Sequence, residues 1–168
     1  QAEQGFAQLH EAIAMYETMR SGDQIKPLRY LALGQRRAGD AAAALETIDR
    51  AWQFCGDENA NLSFCAVVRA NRAGILASQG KGRAAEALAE ADAAIEDLRT
   101  YKSDGQPEMA QAFESKALAL SLLGRQAEAE ALQGEALAIV VKAYGSEHFE
   151  SRRVQANLDK LRQASARP

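Results

Sequence analysis

Proline is scarce in this chain, three residues in 168, and runs of β-branched residues are almost absent. Both shortages favour helix over strand. Cysteine is limited to Cys55 and Cys65, with nine residues between them. No metal pattern has that spacing without further ligands. Both lie beside apolar residues (Trp52, Phe54, Phe64, Val67), so two buried thiols are expected, with a bridge across the connecting loop as the alternative. Histidine is limited to His10 and His148, in neither a His-Glu-x-x-His nor a Cys-His arrangement. No nucleophile, base and orienting group converge, so an enzyme is not expected, and neither a cofactor nor a metal site is read. No apolar run approaches the roughly 20 residues of a membrane helix. The stretch Ala136 to Val141 is ended by Lys142. A signal peptide is not visible, and a cytoplasmic location is the default. The net charge of −3 gives no pull toward nucleic acid.

Alanine and leucine dominate instead, and they recur in a pattern. Gly39-Asp-Ala-Ala-Ala-Ala-Leu runs on to Ala51-Trp52, Gly82-Arg-Ala-Ala-Glu-Ala-Leu to Ala94-Ile95, and Gly124-Arg-Gln-Ala-Glu-Ala-Glu-Ala-Leu to Ala136-Leu137. The glycines stand 43 and 42 residues apart. A fixed period of that size marks a stacked repeat, whose units bury their apolar stripes against one another and not in one central core.

Helical periodicity divides the chain into about eight helices without a strand or long linker. Residues 2–20 read as a helix through Phe6, Leu9, Ala12, Ile13 and Tyr16. Pro27 suits the first turn of the next, which ends at Gly39, where Asp40 can cap its successor. Further helices are expected to about Cys55, over 59–79, from Ala84 to about Tyr101, over 108–123, over 126–144, and from the Gly145 turn onward through Val154, Leu158 and Leu161. Gly80-Lys81-Gly82-Arg83 holds a two-residue ambiguity. It reads as a plain turn in preference to an anion site.

These features resemble the tetratricopeptide repeat. Its small residue in the first helix is matched by Ala32, Ala73 and Ala117, its turn glycine by Gly39, Gly80 or Gly82, and Gly124. The alanine pair of its second helix is matched by Ala44/Ala51, Ala87/Ala94 and Ala129/Ala136. The period is similar to that of the kinesin light chain subtype. That subtype's signature appears as Ala136-Leu137, Tyr144-Gly145-Ser146-Glu147-His148-Phe149 and Asn157-Leu158, with Phe149 in place of proline. The resemblance implies an all-α, right-handed superhelical stack of antiparallel helix-turn-helix repeats. It would comprise the second helix of a truncated repeat (1–22), three repeats (23–58, 59–105, 106–147) and a terminal helix (148–168). A chain opening on Gln1 in mid-repeat is expected of an excised fragment, with further repeats or an effector domain upstream. His148 is assigned to the inter-repeat turn.

In this family the first helices line a concave groove. Lys26, Arg29, Arg36 and Arg37 lie along one stripe of such a helix, with Leu33 within it and no acid between Lys26 and Gly39. Arg69 and Arg72 follow on the next first helix, and Arg153 and Lys160 on the last. Asn71 and Asn157 resemble the groove asparagines that grip a peptide backbone. Second helices carry Glu86, Glu90, Glu128, Glu130 and Glu135, read as a solvated face. The expected function is a non-catalytic protein-binding scaffold, a regulatory or docking part of a larger protein. It would hold a protein or peptide partner, acidic in character, in a partly basic groove. The same stripe could serve solubility alone. The alternative function is self-assembly into homo-oligomers through end helices, with Phe6 and Tyr16 at one end and Val154 and Leu158 at the other.

Overall fold

The structure, a computed structural model, describes Glu11, Ala14 and residues 24–56, 60–101 and 106–165. Among the described residues the chain forms seven α-helices and no strand. These are α1 (Ile25–Arg37), α2 (Ala41–Gln53), α3 (Leu62–Ser78), α4 (Ala84–Tyr101), α5 (Pro107–Leu122), α6 (Gln126–Tyr144) and α7 (Phe149–Ser165). Of the helix expected over residues 2–20 only Glu11 and Ala14 are described, both helical; Phe6, His10 and Tyr16 lie outside the described residues.

Local chemistry sets the boundaries. Asp40 Oδ1 accepts from the Ala43 N–H at 3.0 Å and Asn61 Oδ1 from the Phe64 N–H at 3.0 Å, capping α2 and α3. Pro107 occupies the first turn of α5, where its missing N–H leaves nothing unpaired. Gly39, Gly80, Gly124 and Gly145 follow α1, α3, α5 and α6 with φ between 80° and 96°, a region that only glycine enters without strain. The ambiguity at Gly80/Gly82 is thereby resolved: Gly80 makes the turn, and Gly82 lies in the short 3₁₀ segment Lys81–Arg83. The turn glycines of the three hairpins are therefore 41 and 44 residues apart.

Each helix packs on its chain neighbours, and the first helices of successive hairpins also touch, α1 on α3 and α3 on α5. The nine alanines singled out by the repeat (Ala32, Ala73, Ala117, Ala44, Ala51, Ala87, Ala94, Ala129 and Ala136) are all fully buried. Small side chains let the helix axes approach, while Leu28, Ile48, Ile75, Leu98 and Leu120 fill the space between. The interior is a chain of clusters. One joins α1, α2 and α3 around Leu28 and Ile48; another runs from Val67 through Met109 and Phe113 to Val154. Smaller ones link Leu76 to Ala119 and Leu120 to Ala129.

Two expectations need correction. Cys55 and Cys65 are not free thiols: they form a disulfide, with Cα atoms 5.7 Å apart, from the 3₁₀ turn after α2 to the buried first turn of α3. The α2–α3 turn brings the two chain segments together within bonding reach. Val154 and Leu158, expected on an open end face, are 0% and 3% exposed, with Val154 packed in the cluster that holds Ala136 and Val140 of α6.

Two stability tests follow from this packing. Ala129→Leu overfills a site with no free space and should cost about 1–3 kcal/mol. The melting temperature should fall well beyond that of Ala131→Leu on the exposed side of the same helix; equal melting temperatures would refute the assigned contact. Reducing the Cys55–Cys65 bond should remove about 2–3 kcal/mol, seen as a lower urea midpoint in reductant than without it.

Candidate functional site

The first helices of the three hairpins and α7 share a hollow of about 510 Å³. Arg36 enters it from α1, Gly74 and Ser78 from α3, and Gln111, Glu114, Ser115, Leu118 and Ser121 from α5. The far wall is α7, with Arg153, Asn157, Lys160, Leu161 and Ala164; Gln133 of α6 reaches in beneath it. The floor is held by polar contacts. Ser115 Oγ donates to the Ala70 carbonyl at 2.9 Å, Gln111 Nε2 to Asn71 Oδ1 at 2.5 Å, and Gln133 Nε2 to the Val154 carbonyl at 3.1 Å. These bonds leave the groove shape fixed before anything enters it.

Four of the residues expected to bind, Arg36, Arg153, Asn157 and Lys160, are brought together in this hollow. Arg153 is strongly committed. Its two Nη atoms donate to the two oxygens of Glu114 at 2.8 Å each, its Nε to Glu150 Oε2 at 2.7 Å, and Asn157 Nδ2 lies 3.3 Å from Glu114 Oε2. Burial works against the Arg153 charge, but the bonds and charge of Glu114, then Glu150, outweigh it and hold its pKa above the usual arginine value.

Arg36 is the opposite case. Burial pushes its pKa down, only partly offset by the charge of Glu114 and reinforced by Arg153 and Arg37. Among the described residues no group accepts a hydrogen bond from it. A Cβ on Gly74 would stand 2.6 Å from Arg36 Nη1 and 2.7 Å from Ser115 Oγ, so the guanidinium lies in the space that glycine leaves open.

The remaining expected residues do not line this hollow. Arg69 donates to Asp97 Oδ2 at 2.7 Å and stacks over Trp52, its guanidinium carbon 4.7 Å from the ring centre. Arg72 bonds Asp49 at 2.6 Å and pairs with Glu90 at 3.2 Å. Both arginines thus tie α3 to the acids of α2 and α4. Burial opposes the Arg72 charge, and the bond and charge of Asp49 and then Glu90 reverse that and raise its pKa. Arg29 lies over Tyr30 and Phe64, at 4.5 and 5.6 Å. Asn71 is buried, with Nδ2 on the Val67 carbonyl at 2.5 Å and Oδ1 taken by Gln111. Lys26 and Arg37 are exposed and Leu33 is half-buried.

Sequence reasoning missed Glu114, Gly74, Gln111, Ser115 and Gln133. Their helical spacing on α5 (111, 114, 115, 118) carries the signal for one shared face, but a glutamate there breaks the expected segregation of acids to second helices. The glutamates of the second helices are largely paired: Glu86 with Arg83, Glu90 with Arg72 and Glu128 with Arg125. His148 keeps its place in the turn. Its Nδ1 accepts from the Glu150 N–H at 3.3 Å, and its ring contacts Tyr144 and Phe149 at 4.7 and 4.6 Å between centres. Among the described residues no helix is long and apolar enough to cross a membrane.

Residues 109–150 match the family model of the tetratricopeptide repeat. Among curated proteins none matches the sequence. Solved structures do match in fold. BtubC (BKLC) from P. vanneervenii superposes with a TM-score of 0.71 at 17% identity, over 98% of this chain and 67% of that one. A point variant of a protein from Podosopora anserina, assigned as a kinesin light chain with nearly identical TPR-like repeats, gives 0.68 at 19% identity, over 98% of this chain and 79% of that one. A second structure of the Podosopora anserina repeats gives 0.59 at 17% identity, over 86% of this chain and 69% of that one. At these identities the likeness is one of fold.

The Glu114 fork should anchor α7. Glu114→Ala is expected to cost about 1–2 kcal/mol, since Arg153 keeps Glu150 and partial exposure weakens the pair. Amide exchange should quicken in α7 and stay unchanged in α1 to α3. Unchanged protection throughout α7 would show that the fork holds nothing in place.

Proposed function

From a stack of tetratricopeptide-type hairpins with a polar hollow shared by its first helices, we propose that this chain is a non-catalytic docking module. It holds a segment of a partner protein in that groove. The fold generally mediates protein–protein interaction, and the groove chemistry supplies what a peptide needs. Gln111 and Asn157 offer amide groups that can bond a main chain, Leu118 and Leu161 offer apolar contact, and the three cations Arg36, Arg153 and Lys160 offer charge. The single observation that carries the reading is Arg36, a half-buried cation facing the groove with no hydrogen-bond acceptor among the described residues. A guanidinium partly withdrawn from water and unpaired by its own fold gains from an anion that reaches its open donors.

The partly basic character belongs to this one wall. Arg69 and Arg72 are engaged with acids of their own fold, so they add little to it. Self-assembly through end helices has weaker support: Val154 and Leu158 are already covered, and Phe6 and Tyr16 lie outside the described residues.

Titration with acid-bearing peptides, followed by fluorescence anisotropy, tests the docking function. Binding should weaken as salt is raised through the range where the screening length falls below about 10 Å. Arg36→Glu together with Lys160→Glu should weaken it by about tenfold or more, a loss of about 1.4 kcal/mol or more. Lys26→Glu with Arg37→Glu should change it far less. Equal loss in both pairs would assign the effect to overall charge and overturn the groove.

A further inference from the structure

Independently of the hollow, we infer that two copies of this chain associate through the outer face of α6, antiparallel about a twofold axis. Along α6 the residues Ala127, Ala131, Gly134, Ala138 and Val141 follow one another at alternating steps of four and three. That is the spacing of a seam between two paired helices. The three alanines are exposed, and Val141 is 37% exposed. Gly134 stands mid-helix, where it is less favourable than alanine. A Cβ there would meet nothing within 4 Å, so the single chain makes no use of the gap. Small residues in such a row let a second helix lie close.

Val141 also borders a groove of about 280 Å³ between α6 and α7, together with Leu137, Ala156 and Ser151. Ser151 is 1% exposed, and its Oγ has no hydrogen-bond partner among the described residues. A hydroxyl withdrawn from water in this way calls for a polar group from outside the chain.

Charge sets the orientation and the register. Glu128, Glu135 and Lys142 flank the seam on one side, and Glu130, Leu137 and Tyr144 on the other. In a parallel pair the two sides face each other, and Glu130 would meet Glu135 of the second copy. In an antiparallel pair each side meets its own kind. With Ala138 of one copy against Val141 of the other, Glu135 faces Lys142 across the axis, twice. A slip of one heptad would set Glu135 against Glu135. Among the described residues neither Glu135 nor Lys142 has a partner within the chain. The same register lays Tyr144 of the second copy, 46% exposed in the single chain, beside Leu137 at the groove. Its ring covers the apolar lining, and its phenol gives Ser151 the partner that its own fold does not.

One pair of helices is a small contact, in the size class of weak and transient complexes. It leaves the hollow of the first helices open on both copies, because α6 reaches that hollow only through Gln133, a buried side chain off the seam. A partner with two docking segments would then gain by avidity.

Sedimentation equilibrium of the 168-residue chain should show a monomer–dimer equilibrium at concentrations up to about 1 mM. Glu135→Lys and Lys142→Glu should each weaken it about tenfold or more. They move the net charge of −3 in opposite directions, so a general charge effect does not weaken both. The double variant Glu135→Lys/Lys142→Glu should regain the original association, as should an equimolar mixture of the two single variants. Both positions are exposed, and circular dichroism checks that each variant folds. A monomer throughout that range, undiminished association in either single variant, or a double variant as weak as the single ones would overturn the α6 contact.

Discussion

The architecture depends on how closely helices approach one another at alanine. Nine alanines at repeat positions have no exposed surface, and every one lies where one helix crosses or follows another. A larger side chain there would push two axes apart, and the displacement would pass along the stack because each hairpin rests on the last. Bulk is confined to the gaps between those contacts. The result is four linked clusters in place of one core. First helices that lie this close leave a continuous inner wall, and the hollow is a consequence of their packing.

Polar side chains then fasten neighbouring layers. Gln79 Nε2 donates to the Ala41 carbonyl at 3.2 Å, and Gln126 Nε2 to the Leu161 carbonyl at 2.8 Å. Each joins a hairpin to the next element through a backbone carbonyl, in the first turn of α2 and near the end of α7. Charge is used in the same way. Arg72 bridges Asp49 of α2 and Glu90 of α4, while Arg153 reaches across to Glu114 of α5 and pairs with Glu150 within its own helix. Three of the six arginines read as a binding stripe, Arg69, Arg72 and Arg153, are therefore fasteners. A cation left over after such pairing is more informative than a count of cations.

What could be read from the sequence divides along the same line. The alanine positions, the Asp40 cap and the turn glycines were legible because each answers a short-range demand: backbone approach, an orphan N–H, a positive φ. The helices observed from α1 to α7 agree with the periodicity within a few residues. Even the Gly80/Gly82 ambiguity was a choice between two neighbours, settled by which one takes φ of 96°. The destinations of the arginines were not legible. Arg69 meets an aspartate 28 residues away and Arg153 a glutamate 39 away. Those meetings depend on how helices are set against one another within and between hairpins, which composition does not encode. The disulfide was missed for a related reason, since reach between Cys55 and Cys65 depends on how tightly the α2–α3 turn folds back.

Arg36 and Arg72 show how differently two arginines on first helices can be treated by the same fold. Burial disfavours the charge of both. For Arg72 the fold returns two carboxylates, and its pKa ends above the usual value; for Arg36 it returns none in contact, and its pKa ends below. Placement in the last turn of α1, near carbonyls at the negative end of the helix dipole, helps Arg36 tolerate this. It does not supply a partner, and Arg37 beside it draws the same benefit while remaining in water. A position that partly withdraws one of two adjacent arginines from solvent, over a glycine that clears the space for it, leaves that charge with less compensation than Arg72 finds among its acids.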